Sequence, residues 1–150
     1  MSSFYGGEIH AIDHKGRVSI PATLRRAEGK RTSIPRFFLA PGFDGCLALY
    51  SPEGWNKIEE QLQALPLGDR EARAFQRAFL RHVCKVAVDA QGRITIPPSL
   101  LSLAGLGKEA LLQGLMNRIE IWNPERFTGE SDAVEGKLED MAARVIGGRS

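Results

Sequence analysis

Hydrophobic and polar residues alternate over several short segments of this chain, which is the pattern of β-strands with one buried face. Each half of the chain contains four such segments, bounded by turn-forming residues such as glycine, proline, asparagine and aspartate. The predicted strands cover 8–12, 18–20, 37–39 and 46–50 in the first half, and 83–88, 94–96, 111–112 and 119–122 in the second. The chain is therefore predicted to be rich in β-structure, with one order of strands used twice.

Between the two halves the apolar residues recur every three or four positions, which predicts helices. Ser51 suits an N-cap and Pro52 the first helical position, so a helix is predicted over 51–65. Asp69 is the N-cap of a second predicted helix, over 69–82. Three further helices are predicted elsewhere, over 22–28, over 99–104 and, more loosely, in the tail after 128. Helices and strands together predict an α+β fold class.

The apolar stripes of the longer helices are predicted to face a hydrophobic core. The stripe residues are Trp55, Ile58, Leu62 and Leu65 in the first helix, and Ala72, Phe75 and Phe79 in the second. The tail has a weaker stripe, formed by Val134, Leu138, Met141 and Val145.

A twelve-residue segment occurs twice, at 13–24 and again 76 positions later at 89–100. Six of the twelve positions are identical, and three more exchange similar residues, Val for Ile or Ser for Thr. Each copy contains the motif Asp-x-x-Gly-Arg, followed by a strand that ends at proline. The ends of the two units also match, 47–53 with 119–125. We therefore interpret the chain as a duplication of one supersecondary unit rather than a long repeat array.

The bulk properties are those of an ordinary globular protein, with 150 residues, 43% of them apolar and 25% charged. A unit of half this length buries a poor core alone, so the two units are expected to share one. No apolar run is long enough to span a membrane, and the first residues lack the pattern of a secretory signal. We therefore expect a cytoplasmic protein without a membrane partner, with Cys46 and Cys84 reduced and buried.

The formal net charge is only +2, but the charges are unevenly distributed. Between 15 and 36 there is a single acid, Glu28, whereas 125–140 is rich in acid. The basic residues of the first segment are Lys15, Arg17, Arg25, Arg26, Lys30, Arg31 and Arg36. Such a cluster favours nonspecific attraction to nucleic-acid phosphates, and a solvated basic surface is the alternative interpretation.

The repeated turn is the candidate functional site. Gly16 and Gly92 can adopt the positive φ that a tight reversal requires. Arg17 and Arg93 follow these glycines, and a planar guanidinium can bind guanine or phosphate through two hydrogen bonds. An arginine presented by each turn can therefore reach phosphates and guanine edges.

Asp13 and Asp89 precede the arginines by four residues, across the turn, and are expected to brace them by charge-assisted hydrogen bonds. The alternative is a structural turn only, with the acid capping backbone amides and pairing with the arginine. The turns differ in their middle, where the first has Lys15 and the second Gln91. Lysine adds a contact to phosphate, whereas glutamine suits a weaker loop or a pair of hydrogen bonds to adenine.

Nothing in the sequence favours an enzyme. Asp13 and Asp89 could form a proton-sharing dyad, but Lys15 and Arg17 would hold Asp13 ionised. The histidines His10, His14 and His82 do not have the spacing of metal ligands. Glycine-rich phosphate loops and nucleophile elbows are absent from the sequence. We expect no catalysis, metal, cofactor or small-molecule substrate.

In these features the chain resembles the MraZ family of bacterial transcriptional regulators, whose units are related to AbrB-type swapped-hairpin DNA-binding domains. The resemblance covers about 4–127. It is carried by the two Asp-x-x-Gly-Arg turns, the strand exits 19–21 and 95–97, the turn 42–47 and the segment 117–122. It implies a β-rich fold of two tandem AbrB-like swapped-hairpin units that form an intrachain pseudo-dimer. The expected division is a first unit 4–52, linking helices 53–82, a second unit 83–127 and a C-terminal helix with a frayed tail 128–150.

The resemblance also implies a function, namely transcription regulation through sequence-specific binding of double-stranded DNA. It implies a ring-like homo-oligomer and a target upstream of the bacterial cell-division and cell-wall gene cluster, including the protein's own gene. The location would then be cytoplasmic and nucleoid-associated. One protomer offers few cationic contacts, so tight binding is expected only for an assembly on repeated promoter sites. The alternative is an AbrB-like antitoxin or protein-interaction module that binds a partner through the acidic segment 130–145.

Overall fold

The computed structural model of the protein describes residues 4–21 and 36–147. Several sequence predictions therefore lie outside the described residues. These are the short helix over 22–28 and the basic residues Arg25, Arg26, Lys30 and Arg31.

All the predicted strands in the described ranges are present, with ends that differ from the predicted ones by up to two residues. They are β1 (Gly7–Ala11), β2 (Arg17–Ser19), β3 (Arg36–Pro41), β4 (Leu47–Tyr50), β5 (Cys84–Ala87), β6 (Arg93–Thr95), β7 (Glu109–Gly114) and β8 (Arg118–Trp122). The largest difference is in β7, which extends well beyond the predicted 111–112 because the polar Glu109 and Gln113 also pair with β1.

Six of these strands form one antiparallel sheet in the order β1-β7-β8-β4-β3-β5. The first strand of each repeat pairs with the third strand of the other repeat, β1 with β7 and β5 with β3. The centre of the sheet is the pair β4–β8, where Leu47 lies opposite Ile121 and Leu49 opposite Ile119. The arrangement is therefore two-fold pseudosymmetric, with the repeats interleaved in one sheet.

The remaining strands, β2 and β6, form a separate two-stranded antiparallel ribbon. Val18 and Ile94 pair at its middle, and both side chains are fully buried in the main hydrophobic core. This core also contains Ile20 and Ile96, which follow the two ribbon strands. The ribbon is thus attached to the sheet by apolar burial, which contributes roughly 25 cal/mol per Å² of apolar surface removed from water.

The two linking helices are confirmed as α1 (Pro52–Gln63) and α2 (Arg70–Arg81). The Ser51 hydroxyl accepts a hydrogen bond from Gly54 N, and Asp69 caps α2 through Glu71 N. Both caps satisfy N–H groups that have no partner within the helix. The predicted N-terminal signals therefore act as predicted.

Both helices pack on the outer face of the first repeat's part of the sheet, in a second hydrophobic cluster. Trp55 is 3% exposed and stacks on Phe38 and Phe79 at centroid distances of 5.2 and 6.3 Å. Phe75 departs from the expected buried stripe, since it is 43% exposed and contacts Phe79 at the rim of the cluster. The helical stripe is therefore buried at Trp55 and Phe79 but reaches solvent at Phe75.

The second repeat continues into α3 (Pro98–Leu103), α4 (Pro124–Glu135), α5 (Leu138–Ala142) and a π-helical turn (Ala143–Gly147). The tail is thus not the single amphipathic helix that the spacing predicts, because α4 ends at Glu135 and α5 starts anew after Lys137. Leu138 and Val145 of the predicted stripe are 64% and 58% exposed. Helical spacing alone therefore does not bury these two side chains.

Overall the molecule is a mixed α+β protein with a strand-rich antiparallel sheet, as predicted.

Candidate nucleic-acid interface

The ribbon of β2 and β6 brings the two repeated motifs together on one face. In its register Arg17 lies opposite Thr95 and Ser19 opposite Arg93. Side chains alternate along a strand, so these four residues share the face opposite the buried Val18–Ile94 pair. Both arginine side chains are 27% exposed. The two arginines therefore lie on a common surface of the ribbon, one from each repeat.

The first turn is organised by the Asp13 carboxylate. Oδ1 accepts hydrogen bonds from the backbone N–H groups of Lys15 and Arg17, both at 2.9 Å. Oδ2 accepts from Arg17 Nε at 2.6 Å, a short distance typical of a charge-assisted bond. The same acid therefore closes the turn and holds the arginine, so the expected brace and the structural turn occur together. Lys15 is exposed at the tip.

The second turn has the same plan around Asp89. Its Oδ1 accepts from the backbone N–H groups of Gln91 and Arg93, both at 2.9 Å, and Oδ2 accepts from Arg93 Nε at 3.1 Å. One contact has no equivalent among the described residues of the first turn, because Arg93 Nη2 also donates to Gln91 Oε1. The second arginine is therefore held at both Nε and Nη2.

Contacts also run from one turn to the other. Ile20 N donates to Gly92 O at 2.8 Å and Ile96 N donates to Gly16 O at 2.9 Å, so each turn is tied to the strand exit of the other repeat. In addition, Arg93 Nη1 lies 3.9 Å from Asp13 Oδ2. Asp13 thus faces both arginines, and the turns form one connected surface.

The glycine of each motif is required by the backbone. Gly16 and Gly92 have φ values of +80° and +79°, a region that L residues with a Cβ rarely adopt. A Cβ on Gly16 would also lie 2.8 Å from Ile96 O, inside the strand exit of the second repeat. These glycines therefore shape the site without presenting a side chain to a ligand.

The electrostatics of the site keep both acids ionised. The pKa of Asp13 is lowered from the ordinary 3.8 to about 2, chiefly by the hydrogen bond from Arg17 N and also by the Arg17 side chain. The hydrogen bond from Arg93 N lowers the pKa of Asp89 in the same way. Two carboxylates that share a proton would need one raised pKa, so this pair does not have the electrostatics of an aspartic dyad.

The sequence did not identify Ser19 and Thr95 as members of this surface. Both place a hydroxyl beside an arginine of the other repeat, through the pairing of β2 with β6. The available signal was the alternation of Arg17 with Ser19 along one strand, but the partner strand was not identified from sequence.

The part of the chain that the structure describes contains neither a candidate metal site nor a membrane-spanning helix. Within residues 4–21 and 36–147, no three His, Cys, Asp or Glu side chains come together in a way that could hold a metal ion. No helix among the same residues has both the length and the apolar character needed to cross a bilayer.

Comparison with known proteins adds the family context. The family model described as "MraZ protein, putative antitoxin-like" matches the chain twice, over 4–78 and 79–147. Three curated proteins with the name Transcriptional regulator MraZ are similar over 95% of this chain and 96% of their own length. They come from Ligilactobacillus salivarius, Acetivibrio thermocellus and Heliobacterium modesticaldum, with identities of 41%, 38% and 40%.

Proposed function

The chain belongs to the MraZ family, and we propose that it is a transcriptional regulator that binds double-stranded DNA in a sequence-specific manner. The observation that carries this proposal is the pair of aspartate-braced arginines, one from each repeat, on a single face of the β2–β6 ribbon. Held guanidinium groups bind base edges or phosphates with less loss of side-chain entropy than free ones.

The proposed contacts are Arg17, Arg93 and Lys15, with Gln91 next to them. Asp13 and Asp89 act as braces, and Gly16 and Gly92 give the turns their shape. The exposed Lys15 adds a charge for the DNA backbone, and Arg25, Arg26, Lys30 and Arg31 of the sequence add nonspecific attraction. The protein works without catalysis, as a DNA-bound regulator at the nucleoid in the cytoplasm.

We interpret the exchange of β1 and β5 between the repeats as an intrachain pseudo-dimer of two AbrB-like swapped-hairpin units. The proposed division keeps 4–52 and 83–127 as the units, 53–82 as linking helices and 128–150 as the tail. One such pseudo-dimer offers only a few cationic contacts. A ring-like homo-oligomer that engages repeated promoter sites would multiply them through effective concentration.

The proposed target is the promoter of the bacterial cell-division and cell-wall gene cluster, including the protein's own gene. Footprinting on the DNA immediately upstream of its own coding sequence tests this directly. We expect protection of repeated short sites, and loss of that protection in the Arg17→Ala, Arg93→Ala double variant. Uniform protection, or the same footprint with the double variant, would refute specific binding through the ribbon.

A second candidate function is that of an antitoxin-like or protein-interaction module. One observation favours it, since Leu138, Val145 and Ile146 are exposed beside the acids of the C-terminal segment. Deletion of the residues after Thr128 separates the two functions. Intact DNA binding with loss of a co-purifying partner would support the interaction role, whereas loss of DNA binding would assign the tail to the regulator itself.

A further inference from the structure

We propose that Gln91 acts through Arg93, by holding its guanidinium group in place for DNA. This inference rests on the proposed function, because it concerns how the second turn would meet DNA. It assigns a positioning role to a residue whose equivalent in the first repeat, Lys15, has different chemistry.

The contacts of Arg93 carry the inference. Its Nε donates to Asp89 Oδ2 at 3.1 Å, its Nη2 donates to Gln91 Oε1, and its Nη1 faces Asp13 Oδ2 at 3.9 Å. All three guanidinium nitrogens therefore face an oxygen of the protein. Arginine has only donors, so the atom of the Gln91 amide that faces it must be the oxygen.

This arrangement engages the same oxygen atom that a base-reading glutamine uses. A bidentate contact with adenine requires the amide oxygen to accept from N6 while the amide nitrogen donates to N7. In the structure the Gln91 oxygen already accepts from Arg93 Nη2. A contact with adenine would have to share this oxygen through its second lone pair, so the arginine contact is the one that the structure shows for Gln91.

The first turn has Lys15 at the position of Gln91, and the two side chains differ in the hydrogen bonds that they can make. A lysine ammonium has donors and no acceptor, so Lys15 cannot hold Arg17 in this way. Arg17 is held at Nε by Asp13, and within the described residues its Nη atoms have no hydrogen-bonded partner. The first turn therefore offers more charge, whereas the second offers an arginine with less conformational freedom to lose on binding.

A double-mutant cycle with the full-length protein tests the proposal. Gln91→Met keeps the length of the side chain but removes the acceptor. With a labelled duplex of the DNA upstream of the coding sequence, we expect about two- to tenfold weaker binding for this variant, the range for releasing one ordered side chain. In the Arg93→Ala background the same substitution should have no further effect, because the two residues act as one unit.

Equal losses from Gln91→Met in both backgrounds would overturn the proposal, because Gln91 would then contact DNA without Arg93. An unchanged affinity in the wild-type background would overturn it as well. The matched control is Lys15→Met in the first turn. This substitution removes a charge. It should therefore lower the salt slope of DNA binding by about the amount of one phosphate contact.

The free protein provides a readout that does not depend on DNA. NMR of the guanidinium groups should show slower rotation about the Arg93 Nε–Cζ bond in the wild type and in Gln91→Glu, which keeps an acceptor. Faster rotation is expected in Gln91→Met. Equal rotation in all three proteins would remove the structural basis of the inference. If the protein binds no DNA but the NMR result holds, the proposed function fails and the Gln91–Arg93 contact stands.

Discussion

The two repeats share the same turn but differ in the residues around it. The shared residues are those that the fold requires, and the differing residues give each turn its own chemistry. Both turns have a glycine at positive φ, an acid that accepts from two backbone amides, and an arginine paired to that acid. Around this common frame, the first repeat has the charged Lys15 and the second has Gln91, which is bonded to Arg93. The frame thus sets where the arginines lie, and the middle residue sets how firmly they are held.

The helices that follow the two repeats differ from each other more than the two turns do. In the first repeat, α1 buries Trp55 and Leu62 against the sheet. In the second, α4 has Phe127 at the position of Trp55, but Glu130 and Lys137 stand where the first repeat has Ile58 and Leu65. None of the residues of α4 is buried. The helices that follow the first repeat therefore pack on the sheet through buried side chains, whereas α4 has none.

The largest expected effect tests this difference in helix packing. Trp55→Ala should lower the free energy of unfolding by about 3–5 kcal/mol, because it removes a buried ring that contacts Phe38, Tyr50 and Phe79. Phe127→Ala should cost less, about 1–2 kcal/mol, since this half-buried ring makes one edge contact, with Trp122. Urea unfolding followed by circular dichroism at one protein concentration measures both. Equal losses would mean that the second half is covered as tightly as the first.

The next effect compares the two arginines in DNA binding. Arg17→Ala and Arg93→Ala should each weaken binding by about 1–3 kcal/mol per engaged site and lower the salt slope by about one per lost phosphate contact. Gel-shift titrations over a range of salt concentrations measure both quantities. Arg77→Ala is the matched control, because it removes the same charge from an exposed position on α2. A loss with only one of the two turn variants would show that a single turn meets the DNA.

A smaller effect distinguishes the two acids. Asp13 faces both Arg17 and Arg93, whereas Asp89 has Arg93 as its one ion-pair partner among the described residues. We therefore expect Asp13→Asn to weaken DNA binding more than Asp89→Asn does. Each variant makes the protein one unit more positive, which by itself would strengthen attraction to DNA. Weaker binding despite this gain in charge would identify a brace, and stronger binding in both variants would refute it.

Much of the local structure could be predicted from the sequence, because it depends on neighbouring residues. The caps at Ser51 and Asp69, the turn at Gly16 and the strand ends at proline are fixed by φ preferences and by unpaired N–H groups. The contact between Asp13 and Arg93 could not be predicted in this way. A period of two indicates which side chains share a face of a strand, but not which strand lies beside it.

The tail shows that helical spacing in the sequence does not by itself predict burial. The apolar stripe through Leu138 and Val145 has helical spacing, and helices do form there, yet both side chains remain exposed. Burial needs a complementary surface, and the sequence pattern of one helix does not say whether the fold provides it. Phe75 and Phe79 lie on the same predicted stripe, yet only Phe79 is buried in the cluster with sheet residues.

The smallest expected effect is the response of the two turns to acid. Both acids have a lowered pKa, so the stability they contribute is fully present above pH 3.8, the ordinary value, and is lost as the pH falls. For Asp13 the loss is expected near pH 2, where its carboxylate takes up a proton. Carboxyl ¹³C chemical shifts followed over an acid titration measure each group separately.

The order of the two titrations tests whether the turns differ electrostatically. Asp13 has the shorter bond to an arginine Nε, 2.6 Å against 3.1 Å for Asp89, and a second guanidinium 3.9 Å away. Opposite charges stabilise the ionised carboxylate, so Asp13 should take up its proton at a lower pH than Asp89. Substitution of Arg93 by alanine should then raise the pKa of both Asp13 and Asp89, because this arginine faces both acids. If that variant moved only the titration of Asp89, the two turns would be electrostatically independent and Asp13 would brace Arg17 alone.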